Sequence, residues 1–78
     1  MAQILVLGAT GMLGNAVFRV FSADPEHETW GTLRSGAALR NFPQQGQERL
    51  LSGVDVLDQD ALVAVLAKVR PDVVINCV

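Results

Sequence analysis

At 78 residues, half of them apolar, the chain is globular in composition and near the lower limit at which one hydrophobic core sustains a domain. Its formal net charge of −2 excludes the basic excess of a nucleic-acid binder, and no apolar run approaches the roughly 20 residues that cross a bilayer. The single cysteine, Cys77, excludes an internal disulfide and a multi-cysteine metal site, and Met1-Ala2-Gln3 lacks the basic stretch of a signal peptide, so a cytoplasmic protein is expected.

Gln3-Ile-Leu-Val-Leu7 is a continuous apolar run of strand length, the pattern of a parallel strand covered on both faces. Beyond the glycines that follow it, Leu13, Ala16, Val17, Val20 and Phe21 fall on one stripe of a helix, which Asp24-Pro25 ends. A second strand is expected over His27 to Leu33, with Gly31 inside it as a weakness, and His27 reads as an exposed turn residue. A short helix is expected over Ala37 to Asn41, then Pro43 and a glutamine-rich loop, then a weak third strand from Leu50 to Val54. Asp58 reads as the N-cap of a second helix whose stripe is Leu62, Val65, Leu66 and Val69. Arg70 suits the negative end of that helix, and Pro71 stops it before a buried strand over Pro71 to Val78.

This β-α-β-β-α-β order specifies an α/β fold of the Rossmann type, a doubly wound parallel sheet with a glycine-loop helix. A whole dinucleotide-binding domain needs two such halves, so residues 1–78 are read as its N-terminal portion.

Gly8-Ala-Thr-Gly11-Met-Leu-Gly14 joins the first strand to the first helix. Gly8 permits a sharp exit from the strand, Gly11 lets a phosphate approach the backbone, and Gly14 lets the helix lie against the strand. The N–H groups of Gly11, Met12 and Leu13 would then face an anion at the positive end of the helix dipole. A glycine triplet alone also suits a tight turn chosen for packing. Its place between an apolar strand and an amphipathic helix favours a dinucleotide pyrophosphate, and the lack of Gly-Lys-Ser/Thr excludes a Walker loop.

NAD sites carry Asp or Glu about 20 residues beyond the loop, at the end of the second strand. Here the sequence reads Gly31-Thr-Leu-Arg34-Ser35. A guanidinium and a hydroxyl suit the 2′-phosphate of NADP(H), with NAD(H) left open and a solvated surface arginine as the plain alternative.

The Gly-Ala-Thr-Gly-x-x-Gly spacing, Asp55-Val56 and Arg70-Pro-Asp-Val-Val-Ile-Asn76 together resemble the extended short-chain dehydrogenase/reductase (SDR) superfamily, nearest its sugar-nucleotide branch typified by dTDP-4-dehydrorhamnose reductase. The resemblance implies a loop contacting pyrophosphate through Gly8, Thr10, Gly11, Met12 and Leu13, with Gly14 behind it. It implies Asp55 and Val56 at the adenine, where Asp55 could equally cap a turn, and the backbone of Asn76, Cys77 and Val78 along the adenosine. It further implies an NADP-dependent reductase of a nucleotide-linked sugar, a homodimer being left open; a non-catalytic NADP(H)-binding sensor is the alternative. The superfamily's Tyr-x-x-x-Lys pair has no counterpart, since the sequence holds no tyrosine, and no catalytic residue is assigned.

Overall fold

The computed structural model describes residues 2–42 and 44–78. Its elements in chain order are β1 (Ala2–Leu7), α1 (Met12–Ser22), β2 (His27–Thr32), two 3₁₀ turns (Gly36–Asn41 and Gln44–Arg49), β3 (Leu50–Leu51), α2 (Gln59–Val69) and β4 (Val73–Asn76). The strands form one parallel sheet in the order β3-β2-β1-β4. That order is the first half of the doubly wound Rossmann arrangement. No helix among the described residues is long and apolar enough to cross a membrane.

β1 runs through the centre, and its uninterrupted apolar sequence follows from that position. Alternate side chains of a strand point to opposite faces. Ile4 and Val6 pack with Ala9, Phe18, Leu33, Phe42 and Leu50, whereas Leu5 and Leu7 pack with Val65 and Val69 of α2. Each helix thus covers one face, and a polar residue anywhere in Ile4 to Leu7 would be buried.

The buried stripe of α1 is rotated from the one its sequence suggests. Gly14 and Phe18 are buried with Val17 and Phe21 packed beside them, while Leu13, Ala16 and Val20 face outward. The cause is backbone contact. A Cβ on Gly14 would overlap the Gly8 carbonyl oxygen and lie 2.9 Å from its carbon. Helix and turn touch main chain to main chain there, which fixes the helix rotation and places the Phe18 ring over Gly31. A Cβ on Gly31 would sit 3.0 Å from that ring and 2.9 Å from Leu50. The glycine that weakens β2 as a sequence is the space its packing requires.

Other elements differ in extent from expectation. His27 is half-buried at the start of β2, with its ring against Phe21 (6.2 Å between centroids) and its Nε2 3.5 Å from Asp24. β3 is only two residues long. It stops because Gly53 turns the chain with φ +71°, after which the Val54 N–H returns to the Leu33 carbonyl at 3.0 Å. The glutamine-rich stretch is a second 3₁₀ turn and not a plain loop. Its Gln47 amide donates to the carbonyls of Leu39 (2.8 Å) and Phe42 (3.0 Å), occupying acceptors that end the first turn. Pro43 lies outside the described residues.

α2 begins and ends as its sequence implies. The Asp58 carboxylate accepts the Asp60 N–H at 3.0 Å, and Arg70 closes the helix in the left-handed conformation with φ 50°. Leu62, Val65 and Val69 of its expected stripe face the core, whereas Leu66 lies at its margin, 37% exposed. Asp72 then joins β4 to β1 twice: its N–H donates to the Gln3 carbonyl (2.7 Å) and its carboxylate accepts the Gln3 N–H (2.8 Å). β4 is an edge strand of this sheet and not a buried one, with Val73 47% and Val74 45% exposed.

Two substitutions test these contacts by chemical unfolding of the full chain. Gly14→Ala should cost about 3 kcal/mol, the upper range for overpacking, because backbone must move to admit the methyl. Asp58→Ala should cost about 1 kcal/mol, the usual value of a lost N-cap.

Candidate functional site

The loop after β1 is held from two sides. Gly8 turns the chain at φ +77°, a conformation open chiefly to glycine, and a Cβ there would meet Val78 at 3.0 Å and the Cys77 carbonyl oxygen at 3.3 Å. Its N–H donates to the Thr32 hydroxyl (3.0 Å), and the next N–H, of Ala9, donates to the Thr32 carbonyl (3.0 Å). The first two donors of the loop are therefore spent on β2.

The later donors are not. The Asn15 N–H closes the first turn of α1 on the Gly11 carbonyl at 2.8 Å, so the N–H groups of Met12, Leu13 and Gly14 precede the helical ladder. Gly11 caps the helix without a side chain, and the first turn contains no acidic residue. The positive end of the helix dipole is left without a negative partner from its own helix, which is the chemistry of an anion site. Gly11 itself has an ordinary extended conformation (φ −68°, ψ 164°), and a Cβ on it would come no nearer than 4.0 Å to other protein atoms. Nothing in the protein requires glycine there, whereas close approach of a phosphate would.

A cleft of about 270 Å³ opens from this loop across the ends of β2 and β4. Its walls are Gly8, Thr10 and Gly11 on one side, Thr32 and Arg34 beyond them, Val54 to Leu57 opposite, and Cys77 with Val78 closing it. The volume lies just below the ~300–1,000 Å³ of small-molecule sites and suits one half of a dinucleotide better than the whole. Asp55 has two tasks at its edge. One carboxylate oxygen accepts the Leu57 N–H at 3.0 Å, so Asp55 does cap a turn, and the other lies 3.9 Å from the Arg34 guanidinium. With the Arg34 side chain 80% exposed, this pair is solvated and contributes little to stability. Its groups are free to exchange partners.

Of the residues the sequence singles out, Gly8, Thr10, Gly11, Arg34, Asp55, Val56 and Cys77 line this one cleft. The side chains of Met12 and Leu13 point away from it into solvent, leaving only their N–H groups at the helix start. Gly14 is buried behind the loop. Ser35 lies outside the cleft lining, and its hydroxyl oxygen accepts the Ala37 N–H at 3.2 Å, capping the first 3₁₀ turn. Cys77 packs against the core beneath α1, and its N–H donates to the Leu7 carbonyl at 2.9 Å. Sequence reasoning passed over Thr32, Val54 and Leu57. Thr32 had a signal, a hydroxyl residue ending a strand beside a glycine turn. The apolar wall had none, because it depends on the bend at Gly53.

Parallel strand order, a glycine loop opening a helix and a cleft at the carboxyl ends of the strands define a Rossmann-type nucleotide-binding unit. The chain belongs to the NAD dependent epimerase/dehydratase family, whose pattern matches residues 4–78. No curated protein and no solved structure matches it. The family lies within the extended SDR superfamily, and its members use a nicotinamide dinucleotide. The residues present fit that group: unpartnered N–H groups for a pyrophosphate and an apolar wall with one carboxylate for a nucleoside.

Gly11 offers a way to separate binding from folding. Gly11→Ala should lower the unfolding free energy by no more than about 1 kcal/mol, the cost of replacing a helix-capping residue by alanine. In the same protein, calorimetric titration with the dinucleotide should show a clear loss of affinity.

Proposed function

We propose that this cleft takes the adenosine and pyrophosphate of NADP(H), in an oxidoreductase acting on a nucleotide-linked sugar. The observation that carries the choice of NADP(H) is the Arg34 guanidinium at the cleft wall, just beyond β2, where Gly31 to Ser35 supply no carboxylate. NAD sites use an acidic residue at that point to hold the ribose hydroxyls, and a 2′-phosphate would be repelled by it. A guanidinium instead offers charge and paired donors to the phosphate.

Each residue has a task in this reading. The N–H groups at Gly11, Met12 and Leu13 hold the pyrophosphate, and Thr10 stands beside it. Asp55 and Val56 meet the adenine, and the chain around Cys77 runs along the adenosine. Gly14 keeps the helix close enough to aim its N-terminus. Arg34 leaves Asp55 for the 2′-phosphate, and Ser35 can add a donor because its hydroxyl proton is not used by the Ala37 contact. When bound, the cofactor supplies hydride transfer, and the protein supplies orientation and electrostatics.

Strand order and family membership support the chain as the first, N-terminal half of a dinucleotide-binding domain. The sugar-nucleotide assignment rests on Arg70-Pro-Asp-Val-Val-Ile-Asn76, which resembles the branch typified by dTDP-4-dehydrorhamnose reductase.

Titrating the full chain with NADP(H) and NAD(H), as wild type and Arg34→Ala, tests the cofactor choice. Loss of a charge-assisted contact of about 1.5–3 kcal/mol should weaken NADP(H) roughly ten- to hundredfold and leave NAD(H) unchanged, so that the preference disappears. Equal NADP(H) affinity in both proteins would overturn it.

A further inference from the structure

We propose that Thr32 is a positioning residue of this site: it orients the glycine loop so that the loop's remaining N–H groups meet the pyrophosphate. The assignment rests on the dinucleotide reading above. Thr32 is 1% exposed and ends β2, directly beside the turn at Gly8. It accepts two consecutive N–H groups of the loop through two different oxygens, Gly8 through its hydroxyl and Ala9 through its carbonyl, both at 3.0 Å.

The two contacts divide the loop by direction. A peptide N–H points one way only, so tying down the groups of Gly8 and Ala9 towards β2 fixes the peptide planes at the start of the loop. From Thr10 onward the chain must then rise over the cleft before α1 starts. The carbonyl contact needs no particular side chain. The hydroxyl contact does, and it is made to the residue at positive φ, where the turn is most demanding.

The geometry also states what Thr32 does not do. Its hydroxyl oxygen is engaged by Gly8 and its carbonyl by Ala9, and at 1% exposure it offers a ligand almost no surface of its own, so its effect on a ligand passes through the loop. An effect of that kind is confined to ligands that reach the loop. Adenosine 2′-monophosphate carries the nucleoside and the 2′-phosphate but no pyrophosphate, whereas ADP carries the pyrophosphate on the same nucleoside.

The test titrates the full chain, as wild type, Thr32→Val and Thr32→Ser, with ADP, NADP(H) and adenosine 2′-monophosphate, and measures thermal unfolding alongside. Valine keeps the shape and removes the acceptor. Thr32→Val should bind ADP and NADP(H) about tenfold more weakly, the effect of leaving one buried donor unpaired, and bind adenosine 2′-monophosphate as wild type does. Thr32→Ser should stay near wild type for all three ligands. Undiminished ADP affinity in Thr32→Val would overturn the proposal, as would a parallel loss for ADP and adenosine 2′-monophosphate. Should the valine variant not fold, the serine variant decides: a tenfold loss of ADP affinity in a folded Thr32→Ser would overturn it. Wild-type protein that binds neither ADP nor NADP(H) would instead refute the dinucleotide reading on which the proposal stands.

Discussion

The first helix rests on the turn that precedes it, main chain against main chain. The contact between Gly14 and the Gly8 carbonyl leaves no room for a single methyl, and much of the rest follows from it. It sets the rotation of α1, and hence which residues of that helix are core. It brings the Phe18 ring down on β2, where Phe42 meets it edge-on at 5.7 Å and 89°. It also aims the start of α1 across the ends of the strands, where the cleft lies. A packing constraint and a binding geometry are satisfied by the same missing atom.

The cleft combines two kinds of electrostatics that differ in strength and in freedom. The peptide dipoles at the start of α1 are fixed by the helix and need no reorganisation to meet an anion. The Arg34 and Asp55 charges sit on solvated side chains, and an exposed pair of this sort contributes at most ~1 kcal/mol. The first provides a permanent place for phosphate. The second is a contact that a competing anion can replace at small cost. Asp55 remains anchored in that exchange, because its other oxygen still holds the Leu57 N–H.

The sequence makes the plan of the fold legible because the plan depends on local patterns. The unbroken run Ile4 to Leu7, the cap at Asp58 and the stop at Pro71 each act within a few residues, and each is found where the pattern implies. Most of the cleft residues were legible for a related reason, since strand ends and the glycine loop mark where the site of such a sheet lies. What was not legible depends on contacts between distant residues. The rotation of α1 is set by the contact of Gly14 with Gly8 and shows in the seat of Phe18 on Gly31, and β3 is cut short by a bend after it. The order in the stretch 44–49 comes from one glutamine reaching two carbonyls. Thr32 was missed because its role appears only when two strands lie side by side in register, with Val6 opposite Gly31 and the next residue reaching the turn.

Gly31 and Phe18 form two halves of one shape, a gap in a strand and the ring that fills it. The consequence concerns how such a chain can vary over generations. Outward residues such as Val20 and Leu13 can drift one at a time, because no buried neighbour depends on them. A methyl gained at position 31 would press at once on Leu50 at 2.9 Å, Phe18 at 3.0 Å and Ala9 at 3.1 Å, so a smaller residue at 18 alone would not admit it. A lone substitution at position 31 is therefore resisted by several neighbours at once, and none of them alone can make room for it.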